Sequence, residues 1–184
     1  MKPFSRPYPQ FSLCGLNCGL CPRHHTEGPS RCPGCGGPEF HLKHPSCPII
    51  TCSLKHGGVT YCFECVDYPC DRYIEPSPVD SFISYRHVRE DVYAARDDLS
   101  AYLGRLDRKV TALEWLLSNG DDGRHKASLC RLANAVPAEV LEDVVGRARR
   151  SPDSANAQWA CDQLQASADQ LGIETTLRKF KLAE

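Results

Sequence analysis

Residues 14–35 read CGLNCGLCPRHHTEGPSRCPGC and residues 47–70 read CPIITCSLKHGGVTYCFECVDYPC; together they carry ten of the chain's 12 cysteines. Cys18 and Cys21 enclose two residues, as do Cys32 and Cys35, and Cys62 and Cys65. A two-residue spacer sets a tight turn whose inward-pointing amides let the flanking sulfurs converge on one ion. Two such knuckles make a tetrahedral site, so Cys18, Cys21, Cys32 and Cys35 are expected to share a metal. Gly34 and Gly36-Gly37 suit that geometry, because knuckle turns favour residues tolerant of positive φ. A second group is expected to pair Cys62 and Cys65 with Cys70 and either Cys52 or Cys47. Cys14 and Cys47 complete the set of ten candidate ligands.

The first 76 residues need such crosslinks because little else is there to hold them. Leu13, Leu16, Leu20, Leu42, Ile49, Ile50, Leu54, Val59 and Val66 are nearly the whole aliphatic supply. Ordering a residue costs about 1.5 kcal/mol, and so thin a core does not offset that over the segment. Disulfides or metal must contribute. The N-terminus MKPFSRPYPQ has no apolar signal core, so a cytoplasmic location is expected, where thiols stay reduced and metal is the better reading. Zinc is the expected ion, with two per chain; an iron–sulfur cluster is the alternative, since thiolates bind both. Three zinc ions would need twelve ligand positions, which two of His24, His25, His41, His44 and His56 could complete. Taken one at a time, these histidines read as polar surface residues. Cys14-x3-Cys18-x2-Cys21 also has the spacing of radical S-adenosylmethionine enzymes, but no strand–helix alternation follows to build their partial barrel.

The ordered set Cys14-Gly-Leu-x-Cys18-x2-Cys21-Pro, Cys32-x-Gly-Cys35, Cys47-x-Ile-x2-Cys52 and Cys62-x-Glu-Cys65-x3-Pro69-Cys70 resembles the domain-of-unknown-function 3795 family. All ten clustered cysteines fall on that pattern, including the Asp67-Tyr68-Pro69-Cys70 ending. The resemblance covers about the first 75 residues and implies zinc ligation by these small cysteine-rich prokaryotic proteins. It brings no agreed activity. The remainder, with Leu116-Leu117 and the turn Asp121-Asp122-Gly123-Arg124, is similar to longer members.

Beyond Pro76-Ser77-Pro78 the pattern changes to helices, which places a domain boundary there: a metal-binding module of little regular structure in 1–76 and an all-α domain in 77–184. Leu99, Tyr102, Leu103, Leu106, Val110, Leu113 and Leu117 recur at three- and four-residue steps, and Asn119-Gly120 supplies a stop. Ala157, Ala160, Cys161, Leu164, Ala168 and Leu171 form another face, with Ser151-Pro152 as a start and Gly172 after it. Leu129, Leu132, Ala133 and Val136 mark a short helix. Val140, Leu141, Val144, Val145 and Ala148 mark one begun by Pro137. Phe82, Tyr85, Val88 and Val92 mark a fifth.

Function is bounded by exclusion. A formal net charge of −1 argues against a general binder of nucleic acid or anionic membranes. Residues 1–75 carry seven basic and six acidic side chains, and two four-thiolate zinc sites at −2 each would bring the module to −3. Neither Cys130 nor Cys161 has the setting of an activated nucleophile, and Glu64 reads as a surface carboxylate rather than a general base. With no catalytic constellation, the expected role is a structural zinc module that binds a protein partner, not nucleic acid and not a membrane. An iron–sulfur or open-site metal enzyme and a metal storage or delivery protein are the alternatives.

Overall fold

Apolar periodicity in the C-terminal half becomes five helices in the computed structural model, which describes residues 3–44, 46–74, 77–120, 123–151 and 156–179. Three short helices precede them: α1 (Phe40–Lys43), α2 (Pro48–Lys55) and α3 (Asp71–Ile74). The five are α4 (Val88–Asp97), α5 (Leu99–Gly120), α6 (Lys126–Ala135), α7 (Ala138–Arg150) and α8 (Ala157–Gln170), and no strand forms among the described residues. A cysteine-rich region with little regular structure is thus followed by a helical one. No helix of the described residues is long and apolar enough to cross a membrane.

The helix ends show where sequence signals worked. Pro137 directly precedes the first residue of α7, where its fixed φ is already helix-compatible. Past α8, Gly172 adopts φ 67, a left-handed stop. The start of α8 belongs to Asn156, whose side chain accepts a hydrogen bond from the Trp159 amide at 2.9 Å. Pro152, the expected start, lies outside the described residues, as do Pro76 of the expected boundary and Asp121-Asp122 of the expected turn. The fifth expected helix begins later than its apolar residues suggest: Phe82 is exposed, Tyr85 is not helical, and α4 buries Val92 and Ala95 instead. On α5, Leu116 rather than Leu117 faces inward.

The described chain forms two compact units, Met1–Gly19 with Arg23–Ser77 and Tyr85–Leu103, and Leu20–Pro22 with Pro78–Ser84 and Gly104–Glu184. In the second unit α6 and α7 both pack on α8. Asp80, with a fully buried side chain, accepts from the Arg178 amide at 2.8 Å and from its guanidinium at 2.7 Å.

In the first unit the core is small and partly made of sulfur. Leu13, Cys35, Phe40 and Ile50 are buried together, with Phe4, Cys18, Cys32, Cys47, Ile49, Val59 and Cys62 packed around them. Phe11 joins through its ring, 5.6 Å from Tyr61 and 4.7 Å from Tyr102. Three of the nine aliphatics counted from the sequence, Leu42, Leu54 and Val66, are exposed. Aromatic rings and thiols take their place.

Two polar anchors brace this unit. Asn17 is buried, donates to Asp91 Oδ2 at 3.1 Å, and accepts from the Tyr102 hydroxyl at 2.9 Å. Arg6, 7% exposed, donates from Nε to Thr60 O at 2.9 Å and from Nη1 to Phe11 O at 2.6 Å, with its guanidinium 4.7 Å from the Tyr61 ring centre.

Candidate metal centre

The Cys32-Pro33-Gly34-Cys35 knuckle is built by backbone approach. The Cys35 amide donates to Pro9 O at 2.9 Å, and Gly34 sits at φ 84 with Pro9 O only 2.5 Å from where a Cβ would stand. Gly36 shares the positive φ, at 77. Gly37 does not; it is needed for room, because a Cβ there would meet Pro33 O at 2.4 Å. The Cys62–Cys65 knuckle closes on itself instead, with the Cys65 amide donating to Cys62 O at 3.0 Å. Glu64 caps it by accepting from the Thr60 and Tyr61 amides at 2.8 and 3.0 Å, so its carboxylate is a brace.

The thiols fall into two neighbourhoods. Around the small core, Cys14, Cys35 and Cys47 lie near enough to influence one another: Cys47 and Cys35 each disfavour or are disfavoured by a charge on Cys14. Burial pushes the Cys35 thiol up to about 11, while the Leu13 backbone and the Arg6 guanidinium work the other way. Cys14 is raised by burial too, against hydrogen bonding from the Ser12 hydroxyl, whose Oγ is 3.1 Å from Sγ, and from Leu16. Cys18 and Cys32 pack against the same core. Cys21 belongs to the second unit.

The second neighbourhood surrounds a cavity of about 30 Å³ lined by Cys52, Cys62, Cys65, Cys70 and His56, together with Ile49, Ser53, Val59, Tyr68 and Arg72. That is room for one water-sized guest. Of the two thiols left open by the sequence, Cys52 lines it. At its rim, one donor atom each of His56, Cys65 and Asp67 lies within 4.8 Å of the others. His56 Nδ1 is 3.1 Å from Asp67 Oδ2. No other such group of three occurs among the described residues.

Whether these residues suit a metal can be judged from the donors. None of the 12 cysteines is half of a disulfide. Arg6 Nη2 is buried, and the guanidinium favours a thiolate at Cys35 both by its charge and by hydrogen bonding. A cation-bound thiolate there would keep that acceptor charged. The donor set is soft sulfur with one imidazole, which fits zinc and its neighbours rather than magnesium or calcium.

The histidines divide. His24 is buried, not a surface residue as expected; its Nδ1–H donates to Cys32 O at 3.1 Å, and burial first, then neighbouring His25, keeps it neutral. His25 Nε2–H donates to Gly19 O at 2.8 Å. His44 stacks on Phe40. Among the described residues, His56 is the histidine that joins a thiol in a candidate ligand group. Sequence reasoning missed Arg6, a lone arginine in a proline-rich lead, and Asp67, whose place between Cys65 and Cys70 was the available signal. Cys130 and Cys161 are buried on α6 and α8 as small core residues.

Fold and site together define a cysteine-rich module joined to an all-α region, with a candidate His/Cys/Asp cation group at the module's rim. Residues 10–75 match the family model described as "Protein of unknown function (DUF3795)". No curated protein and no solved structure matches the chain.

Proposed function

We propose that residues 1–76 are a metal-stabilised module that holds two zinc ions on its ten clustered cysteines and presents a surface to a protein partner, with residues 77–184 as helical support. The observation that carries this reading is that Cys52, Cys62, Cys65 and Cys70 line, with His56, a single cavity of about 30 Å³. A second support is the composition of the module's core, where Cys35 is one of four buried residues and further thiols, Cys18, Cys32, Cys47 and Cys62, pack around it. Metal–thiolate bonds would add the cohesion that so few aliphatic contacts do not supply. One ion belongs to the cavity; the other belongs to the thiols gathered around Cys35. Zinc with several thiolates is a closed, structural ion, so the role assigned is binding rather than catalysis.

The test is metal analysis of the purified chain with a visible spectrum, followed by Cys35→Ser and Cys65→Ser. Two zinc ions and a colourless protein are expected, with one ion lost in each variant and the module unfolded in Cys35→Ser. A folded wild-type protein without transition metal, or a brown protein containing iron, overturns the reading.

A further inference from the structure

We propose that the ion at the cavity is held by mixed donors, Cys65 Sγ, the His56 imidazole and the Asp67 carboxylate, at the solvent-facing rim, and that it is exchangeable while the ion near Cys35 is not. This deepens the zinc reading above and rests on it.

Three observations converge. His56, Cys65 and Asp67 form the tightest donor group among the described residues, all within 4.8 Å. Zinc–nitrogen and zinc–oxygen bonds of about 2.0–2.2 Å put tetrahedral donors about 3.3–3.6 Å apart. The 3.1 Å between His56 Nδ1 and Asp67 Oδ2 needs only a few tenths of an ångström of opening. His56 and Cys65 also line the cavity, so an ion bound by them sits at its mouth.

Charge favours the mixed set. Four thiolates around zinc leave −2 to be solvated, whereas one thiolate, one neutral imidazole and one carboxylate neutralise the ion. The accessible edge is also where exchange can occur: the His56 and Asp67 side chains are 38% and 60% exposed, while Cys35 is 7% exposed. A competing ligand can reach the rim ion directly and displace imidazole and carboxylate one at a time. The chain is thereby suited to passing on a borderline divalent cation as well as to being held together by one.

The experiment uses the full-length zinc-loaded protein, His56→Gln, Asp67→Asn and the double variant. A chromophoric chelator follows zinc release, and metal content after gel filtration gives the stoichiometry. The wild type is expected to release one ion at least tenfold faster than the other. The double variant should retain one ion per chain and lose the fast phase, with its tryptophan-monitored unfolding unchanged. Two retained ions with unaltered release in the double variant overturn the mixed site and leave the zinc module standing. A wild type with no zinc at all overturns the zinc module itself. Cobalt-loaded protein provides a second readout: loss of the nitrogen donor must change its visible bands in His56→Gln, and an unchanged spectrum refutes imidazole ligation.

Discussion

Replacing Arg6 with methionine removes the guanidinium from the middle of the first unit while keeping a side chain of similar length. Two charge-assisted hydrogen bonds go, to Thr60 O and Phe11 O, along with the contact over the Tyr61 ring. Hydrogen bonds to a charged group contribute about 1.5–3 kcal/mol each, and a cation–π contact about 1 kcal/mol more. Methionine recovers part of this through packing, which leaves a loss of about 3–5 kcal/mol. Small domains have about 5–15 kcal/mol in total, so the effect is large. The chain offers separate reporters: nine of its 12 cysteines lie in the first unit, and both tryptophans, Trp115 and Trp159, lie in the second. With an m value of about 2 kcal/mol/M, the urea midpoint for thiol exposure should fall by about 2 M, and by more than the tryptophan midpoint. Arg6→Lys should fall between, because it keeps the charge and loses the fork that spans two carbonyls. A thiol-exposure midpoint for Arg6→Met within about 0.3 M of wild type would show that Arg6 is not a brace.

Gly34→Ala should cost about 2–4 kcal/mol, from left-handed strain at φ 84 plus the clash with Pro9 O, and should lower zinc retention in the same sample; equal metal content and midpoint would refute the knuckle geometry. Asn17→Ala should cost about 2–3 kcal/mol, because the buried Tyr102 hydroxyl loses its acceptor, and Tyr102→Phe in that background should recover part of it. Zinc affinity measured by chelator competition should rise with pH, by up to about tenfold per unit for each thiol that must deprotonate. Cys35, pushed up to about 11 by burial, is protonated in the metal-free chain and so keeps contributing above pH 9, where an ordinary thiol has levelled off. A slope below one proton per ion between pH 6 and 8 would exclude thiolate ligation.

Much of the architecture could be read from the chain, and the reason is period. The five C-terminal helices follow three- and four-residue apolar spacing that packing then respected, and α7 and α8 start and stop near proline, asparagine and glycine. The exception, the stretch from Phe82 to Val92, shows the limit: its helix starts only at Val88, leaving Phe82 in water and Tyr85 outside it. In the module the cysteine spacing made the knuckles legible, because two-residue turns are local. Which thiols meet across the fold is set by long-range pairing that no spacing encodes. Cys14 and Cys47 lie in reach of one another, and Cys52 rather than Cys47 lines the cavity. Arg6 was invisible because a single arginine carries no pattern.

The two thiol neighbourhoods differ in what a substitution there can report. Cys35 is at once a candidate ligand and one of the buried residues of the core, so replacing it removes packing and metal affinity together. Serine adds an unsatisfied hydroxyl; alanine leaves a void; neither separates the two roles. At the rim the roles come apart, since His56 and Asp67 are exposed and bury little apolar surface. A loss of metal without loss of fold is therefore available only at the cavity mouth, and a loss of fold with metal only near Cys35. If His56→Gln unfolded the module as fully as Cys35→Ser, the distinction between an interior clamp and a surface site would be wrong, because an exposed imidazole with few packing contacts can destabilise the fold to that degree only through an ion it holds for structure.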